Sequence, residues 1–178
     1  MRRSLPFCES VIVSLNPVRL LIDFSPTGLR FRLMNTTDLT QRPPRSPRLK
    51  LGGYVILPRM LDKGRAQLAG KSGEYHYACP LDGRFLAFTN LTADDILNLL
   101  KEGKSDGEVL AWVREHTKKD DWEIVAWSEH VLRRGPTDNE GRQHFNEALE
   151  KLAPSRDDIG TWLDLLDLDD FVSFGGAA

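Results

Sequence analysis

Hydrophobic residues recur at helical spacing from position 53 onward, in short segments separated by polar and glycine-containing stretches. Residues 55–69 show the pattern well, because Leu57, Leu61 and Leu68 fall on one face of a helix. Comparable segments follow up to the C-terminal end of the chain. The pattern predicts a mainly α fold, an irregular array of about seven short helices.

The later segments begin with residues that are typical of helix N-termini. Proline is well tolerated at the first helical position. A Ser, Thr or Asp followed three residues later by an acidic residue forms a capping box, which satisfies two free backbone N–H groups. The predicted helix starts are Pro80, Thr92, Ser105, Asp120, Thr137 or Asp138, and Ser155.

Two stretches resemble β-strands, the sequence EYHY at 74–77 and the sequence FVSF at 171–174. Two short strands rarely persist without a partner, so we expect at most one small two-stranded pairing between them. This pairing would bring the basic helix 55–69 close to the acidic residues near the C-terminus, which are Asp167, Asp169 and Asp170.

The first fifty residues differ from the rest of the chain. Residues 1–33 are basic and keep neither helical nor strand periodicity for long, so we interpret them as a disordered or mis-assigned N-terminal extension. Residues 34–50 form a Pro/Arg-rich leader, which we expect to be solvated. Residues 51–178 are then a single helical domain.

The composition and charge of the chain argue against several classes of function. The 178 residues carry a formal charge of −2 and a pI near 6.1, which argues against nucleic-acid and membrane-surface binding. The segment from Leu97 to Trp112 resembles a helix-turn-helix, but Glu108 and Glu115 of its second helix, residues 106–116, oppose binding to DNA phosphates. Two cysteines cannot form a disulfide framework, and no apolar run is long enough for a transmembrane helix. We expect a cytoplasmic protein without a cofactor.

Two stretches together resemble a known family. They are LGGYVILPRMLDKGRAQLAGKSGEYHYACPLDGRF at residues 51–85 and DIGTWLDLLDLDDFVSFGG at residues 158–176. Both resemble the bacterial domain-of-unknown-function family numbered 5069, over residues 41–178. The resemblance implies one compact domain that starts near Met34. The family has no established activity, so the resemblance supplies no catalytic residue, substrate or cofactor.

A basic cluster on the first predicted helix is the leading candidate for ligand binding. Arg59 and Lys63 are four residues apart and share a helix face, and Arg65 lies half a turn further round. Together with His76, these cations are suited to hold a phosphate or a carboxylate. The alternative is that they pair with acidic residues of the same chain.

The sequence YHYAC at residues 75–79 contains the candidates for catalysis. His76 and Cys79 approach each other if the chain turns before Pro80, and a nucleophilic pair needs the imidazole within hydrogen-bond reach of the sulfur. The alternative is a buried Cys79 that packs as a small hydrophobic residue and reacts slowly with thiol reagents.

Asp164 and Asp167 are the candidates for metal binding, because they lie three residues apart on the last predicted helix. Such a pair is able to share a magnesium ion with a phosphorylated ligand. The alternative, which we favour, is a structural salt-bridge network, because acidic residues towards a helix C-terminus need a nearby cation.

Two functions remain open at this point. One is a soluble bacterial binding or interaction module with an anion-accepting pocket, whose partner is a small anionic ligand or a protein. The other is a small enzyme that uses His76 with Cys79, or Asp164 with Asp167, on a small or phosphorylated substrate. An enzyme should gather these residues in one concave pocket, whereas an interaction module should expose an apolar patch or groove.

Overall fold

The computed structural model describes residues 11–15, 18–25, 28–34 and 37–177. The chain divides into two compact units, residues 1–36 and residues 37–178. Within the described ranges, no helix has both the length and the apolar character that crossing a membrane requires.

The first unit contains a three-stranded antiparallel meander, for which the sequence analysis predicted no strand. Leu29, Phe31 and Leu33 alternate with arginines, but this alternation was judged too short to predict a strand. That residues 1–33 are a disordered or mis-assigned N-terminal extension stays a prediction. The strands, in the order β1-β2-β3, are β1 (Val11–Leu15), β2 (Val18–Ser25) and β3 (Gly28–Met34).

The second unit is helical, which confirms the predicted mainly α fold. Seven helices occur within residues 37–177. They are α1 (Leu57–Ala69), α2 (Pro80–Thr89), α3 (Ala93–Lys101), α4 (Asp106–Thr117), α5 (Asp121–Leu132), α6 (Asn139–Leu152) and α7 (Trp162–Ser173).

The predicted helix starts are confirmed for α2 to α6, and capping boxes are present at Thr92 and Ser105. The start of the last helix was predicted wrongly. Thr161, not Ser155, caps α7, and its hydroxyl accepts a hydrogen bond from the Asp164 backbone N–H at 3.1 Å. The residues after Ser155 form a loop instead, in which Asp158 pairs with Arg156.

The predicted pairing of residues 74–77 with residues 171–174 is wrong. Residues 74–77 lie in a loop of turns, in which the Tyr75 amide donates to the Ser72 carbonyl at 3.0 Å. Residues 171–173 continue α7. The residue types in both segments favour β-strands, but a strand forms only where it pairs with a neighbouring strand. Neither segment has such a partner within the described residues, because one forms turns before α2 and the other continues α7.

The hydrophobic core of the second unit surrounds α1. Residues 54–57 are fully buried, and the Tyr54 ring meets the Phe85 ring edge-on, with 5.6 Å between the centroids. Helix α1 packs against α2 and α3. Two of its cations are buried as well, since Arg59 and Lys63 are at most 3% exposed. The central helix therefore carries these two members of the basic cluster into the interior.

Residues 37–50 pack against the helices, although a solvated leader was expected. Leu39 is 1% exposed. The Arg45 guanidinium donates to both carboxylate oxygens of Asp62 at 2.8 Å and to Asp106 at 2.7 Å. The prediction of a solvated leader was wrong because Arg45 pairs with carboxylates that lie far from it in the sequence.

The contact between Arg45 and Asp106 predicts a change in acid stability. Burial alone raises the pKa of Asp106, but hydrogen bonds and charge from Arg45 and Arg65 outweigh burial and lower the pKa below its ordinary value. The folded state therefore gives up this proton more readily than the unfolded state. The resulting stabilisation is present above about pH 4 and is lost as the pH falls through the folded pKa.

We expect Asp106→Asn to be less stable than the wild-type protein at neutral pH and to lose less stability below about pH 4. Urea unfolding at a series of pH values measures both effects. Wild-type and variant curves with the same loss between about pH 4 and pH 2 would contradict the assignment.

Candidate functional site

Helix α1 begins at an unusual backbone turn. Ile56 has φ 70° and ψ −41°, and the Leu57 amide donates to the Val55 carbonyl at 2.8 Å. This is a γ-turn with positive φ, which is rare and strained for a β-branched residue. It fixes the direction in which α1 leaves the turn, and hence the positions of Arg59 and Lys63.

Arg59 is held by the C-terminal helix. Its two terminal nitrogens donate to the carboxylate oxygens of Asp170 at 2.6 and 3.0 Å. The Tyr75 hydroxyl donates to Asp170 at 2.8 Å, and its ring lies 5.4 Å from the guanidinium carbon. Burial and the neighbouring Asp170 raise the pKa of Tyr75, so its hydroxyl remains a donor. The expected approach of the basic helix to the C-terminal acids is confirmed for this pair.

Lys63 lies between a buried carboxylate and a thiol. Its Nζ is 2.8 Å from Asp82 Oδ2 and donates to Cys79 Sγ at 3.1 Å. The Asp82 side chain is 0% exposed, and burial raises its pKa while Lys63 opposes that rise. Cys79 is the N-cap of α2 and Asp82 lies in its first turn, where the helix dipole favours negative charge.

These groups meet at a cleft of about 650 Å³, which we call the α1–α7 cleft. Its walls are α1, the loop of residues 73–79 and the C-terminal end of α7. A volume of this size is typical of small-molecule sites. The lining residues are Leu39, Thr40, Arg59, Lys63, Gly73, Glu74, Tyr75, His76, Cys79, Leu81, Leu166, Asp169, Ser173 and Phe174.

Most of the candidate residues from the sequence are brought together in the α1–α7 cleft. Arg59, Lys63, His76 and Cys79 line it. Arg65 lies elsewhere, with its guanidinium 2.6 Å from Asp106. The side chain in contact with the thiol is that of Lys63, while the exposed His76 lies at the edge of the cleft.

Cys79 was expected to be buried, because free cysteines usually lie in the core, but the structure places it elsewhere. It is partly exposed and lines the cleft. The proline that follows begins α2, and this start leaves the cysteine at the N-cap. The α2 amides make no capping bond to the sulfur.

The charges in the cleft limit the kind of ligand it accepts. Arg59 and Lys63 each have a carboxylate partner already, and Glu74 and Asp169 add two further acidic groups. Burial and the adjacent Asp170 raise the pKa of Asp169. A multiply charged anion would meet more negative than positive charge here.

An ammonium has three N–H donors, so Lys63 retains one beyond its contacts with Asp82 and Cys79.

The two candidate metal ligands contact an arginine instead. Arg48 Nε donates to Asp167 at 2.9 Å, and its Nη2 donates to Asp164. Asp164 also accepts the Thr161 amide at 2.7 Å as part of the α7 capping box. Within residues 37–177, no three His, Cys, Asp or Glu side chains are grouped to hold a metal ion. The cation next to this pair is Arg48, whereas the expected partners were the cations of α1.

The loop of residues 73–79 depends on a glycine. Gly73 has φ +56°, and a Cβ at this position would lie 2.8 Å from the Leu39 carbonyl oxygen. We expect Gly73→Ala to lower the free energy of unfolding by more than the roughly 1–2 kcal/mol of left-handed strain, because the backbone at Leu39 must also move.

The matched control for this substitution is Gly70→Ala. Gly70 has φ +68°, and a Cβ at this position would have no atom within 4 Å, so its alanine variant carries only the backbone strain. Urea unfolding of both variants measures the difference. Equal losses would show that the close approach of Gly73 to Leu39 does not constrain the loop.

The sequence analysis did not predict the contacts of three residues, namely Asp82 and Tyr75 near the cleft and Arg48 beside Asp164 and Asp167. Asp82 had a detectable signal, because an acidic residue three positions after an N-cap commonly stabilises a helix start. Its burial against Lys63 had no local signal. Arg48 was recognised as basic, but its partners are more than a hundred positions away.

The second unit and its cleft define a mainly α protein with a small-molecule-sized site that contains both buried ion pairs and a thiol. The profile of DUF5069, a domain of unknown function, matches residues 41–172. The chain belongs to this family, as the resemblance in its sequence indicated. No curated protein matches the chain. The matched region contains Arg59, Lys63, Asp82 and Asp170.

Proposed function

We propose that the protein binds a small molecule in the α1–α7 cleft and holds one anionic or strongly polar oxygen of that molecule against Lys63. The observation that carries the proposal is a lysine that is 3% exposed and still lines a cleft of about 650 Å³. Burying an ammonium is costly unless its hydrogen bonds are satisfied. A ligand oxygen would accept a hydrogen bond from the Lys63 N–H that contacts neither Asp82 nor Cys79.

The remaining walls of the cleft suit the body of such a molecule. Leu39, Leu166 and Phe174 offer apolar contacts, whereas His76 and Ser173 offer hydrogen bonds. A cleft with apolar walls and a few placed polar groups is typical of small-ligand sites. The matched charges of Arg59 and Asp170 favour a ligand with a single charge over a di- or triphosphate.

An interaction module is the second candidate, and one observation favours it. Trp122 and Val125 lie one turn apart on α5 and are 70% and 54% exposed. Two exposed apolar residues make a small patch, and isolated ones are common on protein surfaces. The cleft therefore supports ligand binding more strongly than α5 supports a protein partner.

Native mass spectrometry of the protein as purified from cells tests the proposal. We expect the wild-type chain to carry an added mass that is lost on denaturation. Ser173→Trp should remove it, because Ser173 lies in the cleft wall and the indole occupies the space of the ligand. Ser155→Trp is the matched control on an exposed loop. An unchanged added mass on Ser173→Trp, or none on the wild-type chain, would contradict the proposal.

A further inference from the structure

We propose that Cys79 is a nucleophile toward carbonyl electrophiles of the acyl class bound in the α1–α7 cleft, with Lys63 stabilising first the thiolate and then the oxyanion. This inference rests on the proposed function, because the electrophile must occupy the same cleft. It differs from the pair expected from the sequence, in which His76 was the partner of the thiol.

The first support is a chain of three contacting groups. Cys79 Sγ lies 3.1 Å from Lys63 Nζ, and Lys63 Nζ lies 2.8 Å from Asp82 Oδ2. Activated nucleophiles in enzymes show this arrangement, with a reactive group, a polar partner in contact with it, and a third group that orients the partner. Here the orienting carboxylate is fully buried, so the lysine is held in one place.

The second support is the position of the thiol. Cys79 lies at the N-terminus of the ten-residue helix α2, and the sulfur makes no capping bond to the helix amides. The Lys63 ammonium and the N-terminus of α2 place positive charge next to the sulfur. Cys79 also lines the cleft, so an electrophile in the cleft is able to reach it.

The third support is the backbone before the thiol. Ala78 has φ 59°, a left-handed conformation that residues other than glycine seldom adopt. Such outliers persist only where the surroundings enforce them, and they cluster at functional sites. At Ala78 the turn directs the chain from the loop of residues 73–79 into α2, which sets the thiol opposite Lys63.

The proposed step is acyl transfer to sulfur. The Cys79 thiol gives its proton to water, and the thiolate forms a bond to the carbonyl carbon. The electron pair of the C=O bond moves to the oxygen, to which Lys63 donates a hydrogen bond. Collapse of this intermediate re-forms the C=O bond, expels the leaving group with the electrons of its bond to carbon and leaves a thioester on Cys79. Water then hydrolyses the thioester, which releases the carboxylic acid and restores the thiol.

p-Nitrophenyl acetate is a suitable probe, because acetylation of Cys79 releases one p-nitrophenolate and hydrolysis then releases acetate. Cys8→Ser makes Cys79 the single cysteine of the chain. We expect a burst of p-nitrophenolate and an acetyl group on the peptide that contains Cys79. The burst should be faster in the folded protein than in the same chain unfolded in urea, where Lys63 no longer contacts the sulfur.

Lys63→Gln separates an oxyanion role from a merely structural one. It should slow acetylation by roughly 100-fold, the effect of losing one oxyanion donor, but should slow alkylation by iodoacetamide much less, because alkylation forms no oxyanion. Lys71→Gln is the matched control, since Lys71 pairs with Asp38 outside the cleft lining. Circular dichroism shows whether each variant is folded.

A folded Cys79 that is acetylated no faster than the unfolded chain would overturn the inference, and this comparison needs no Lys63 variant. Equal slowing of both reagents by Lys63→Gln would overturn the oxyanion role. The proposed ligand binding is tested separately by the added mass in native mass spectrometry. A protein that retains its ligand but is not acetylated defeats only the nucleophile.

Discussion

Asp170→Asn should lower the free energy of unfolding by about 3–5 kcal/mol, the usual effect of removing one partner of a buried ion pair. The side chains of Arg59 and Asp170 are 3% and 8% exposed. Asparagine has the same size and keeps an acceptor for the Tyr75 hydroxyl. The loss in the free energy of unfolding therefore reports the removal of the negatively charged partner of Arg59, and urea unfolding at neutral pH measures it.

Asp167→Asn is the matched control on the same helix. The side chains of Asp167 and its partner Arg48 are 32% and 34% exposed. Because exposed ion pairs contribute about 0–1 kcal/mol, this variant should stay close to the wild-type protein. Similar losses for the two variants would mean that burial does not distinguish the two ion pairs and would contradict the account of the α1–α7 contact.

Lys63→Met should also cost about 3–5 kcal/mol at neutral pH, because it leaves the Asp82 carboxylate buried without its cation. Burial already raises the pKa of Asp82, with Lys63 opposing it. Without Lys63, the folded state binds the Asp82 proton more readily than the unfolded state does. The variant should therefore regain stability as the pH falls through the raised folded pKa toward about 4, the ordinary value for aspartate.

Urea unfolding of Lys63→Met at neutral pH and near pH 5 measures this recovery. The double variant Lys63→Met with Asp82→Asn is the control, because it contains no carboxylate at position 82 and should not show the recovery. A single variant whose stability falls with pH as steeply as that of the double variant would show that Asp82 does not depend on Lys63.

Local signals were enough to predict most of the helices. Capping residues and glycine stops act within a few positions, so the starts of α2 to α6 follow from the sequence. The prediction of strands at residues 74–77 and 171–174 was wrong, because a strand needs a pairing partner and residue propensity alone does not show whether one is present. In the first unit strands do form, because each strand pairs with one that lies next to it in the sequence.

The site was predictable in its members but not in its pairing. The spacing of Arg59 and Lys63 placed both on one face of α1, and His76 and Cys79 were singled out by residue type. Which carboxylate each cation contacts is decided by how α7 and α2 pack against α1, and Asp170 is 111 positions from Arg59. The contact of Lys63 with Cys79 replaced the expected contact with His76 for the same reason.

An NMR titration of the protein with sodium acetate, followed through backbone amide shifts, tests the central claim most directly. Acetate carries the single anionic group that the α1–α7 cleft is proposed to hold. We predict saturable shifts at residues 73–79 and 166–174 that disappear in Lys63→Gln. A second cavity of about 480 Å³ contains His130, Arg133 and Arg134. Shifts confined to residues 129–137, or no saturable shift at all, would contradict the claim.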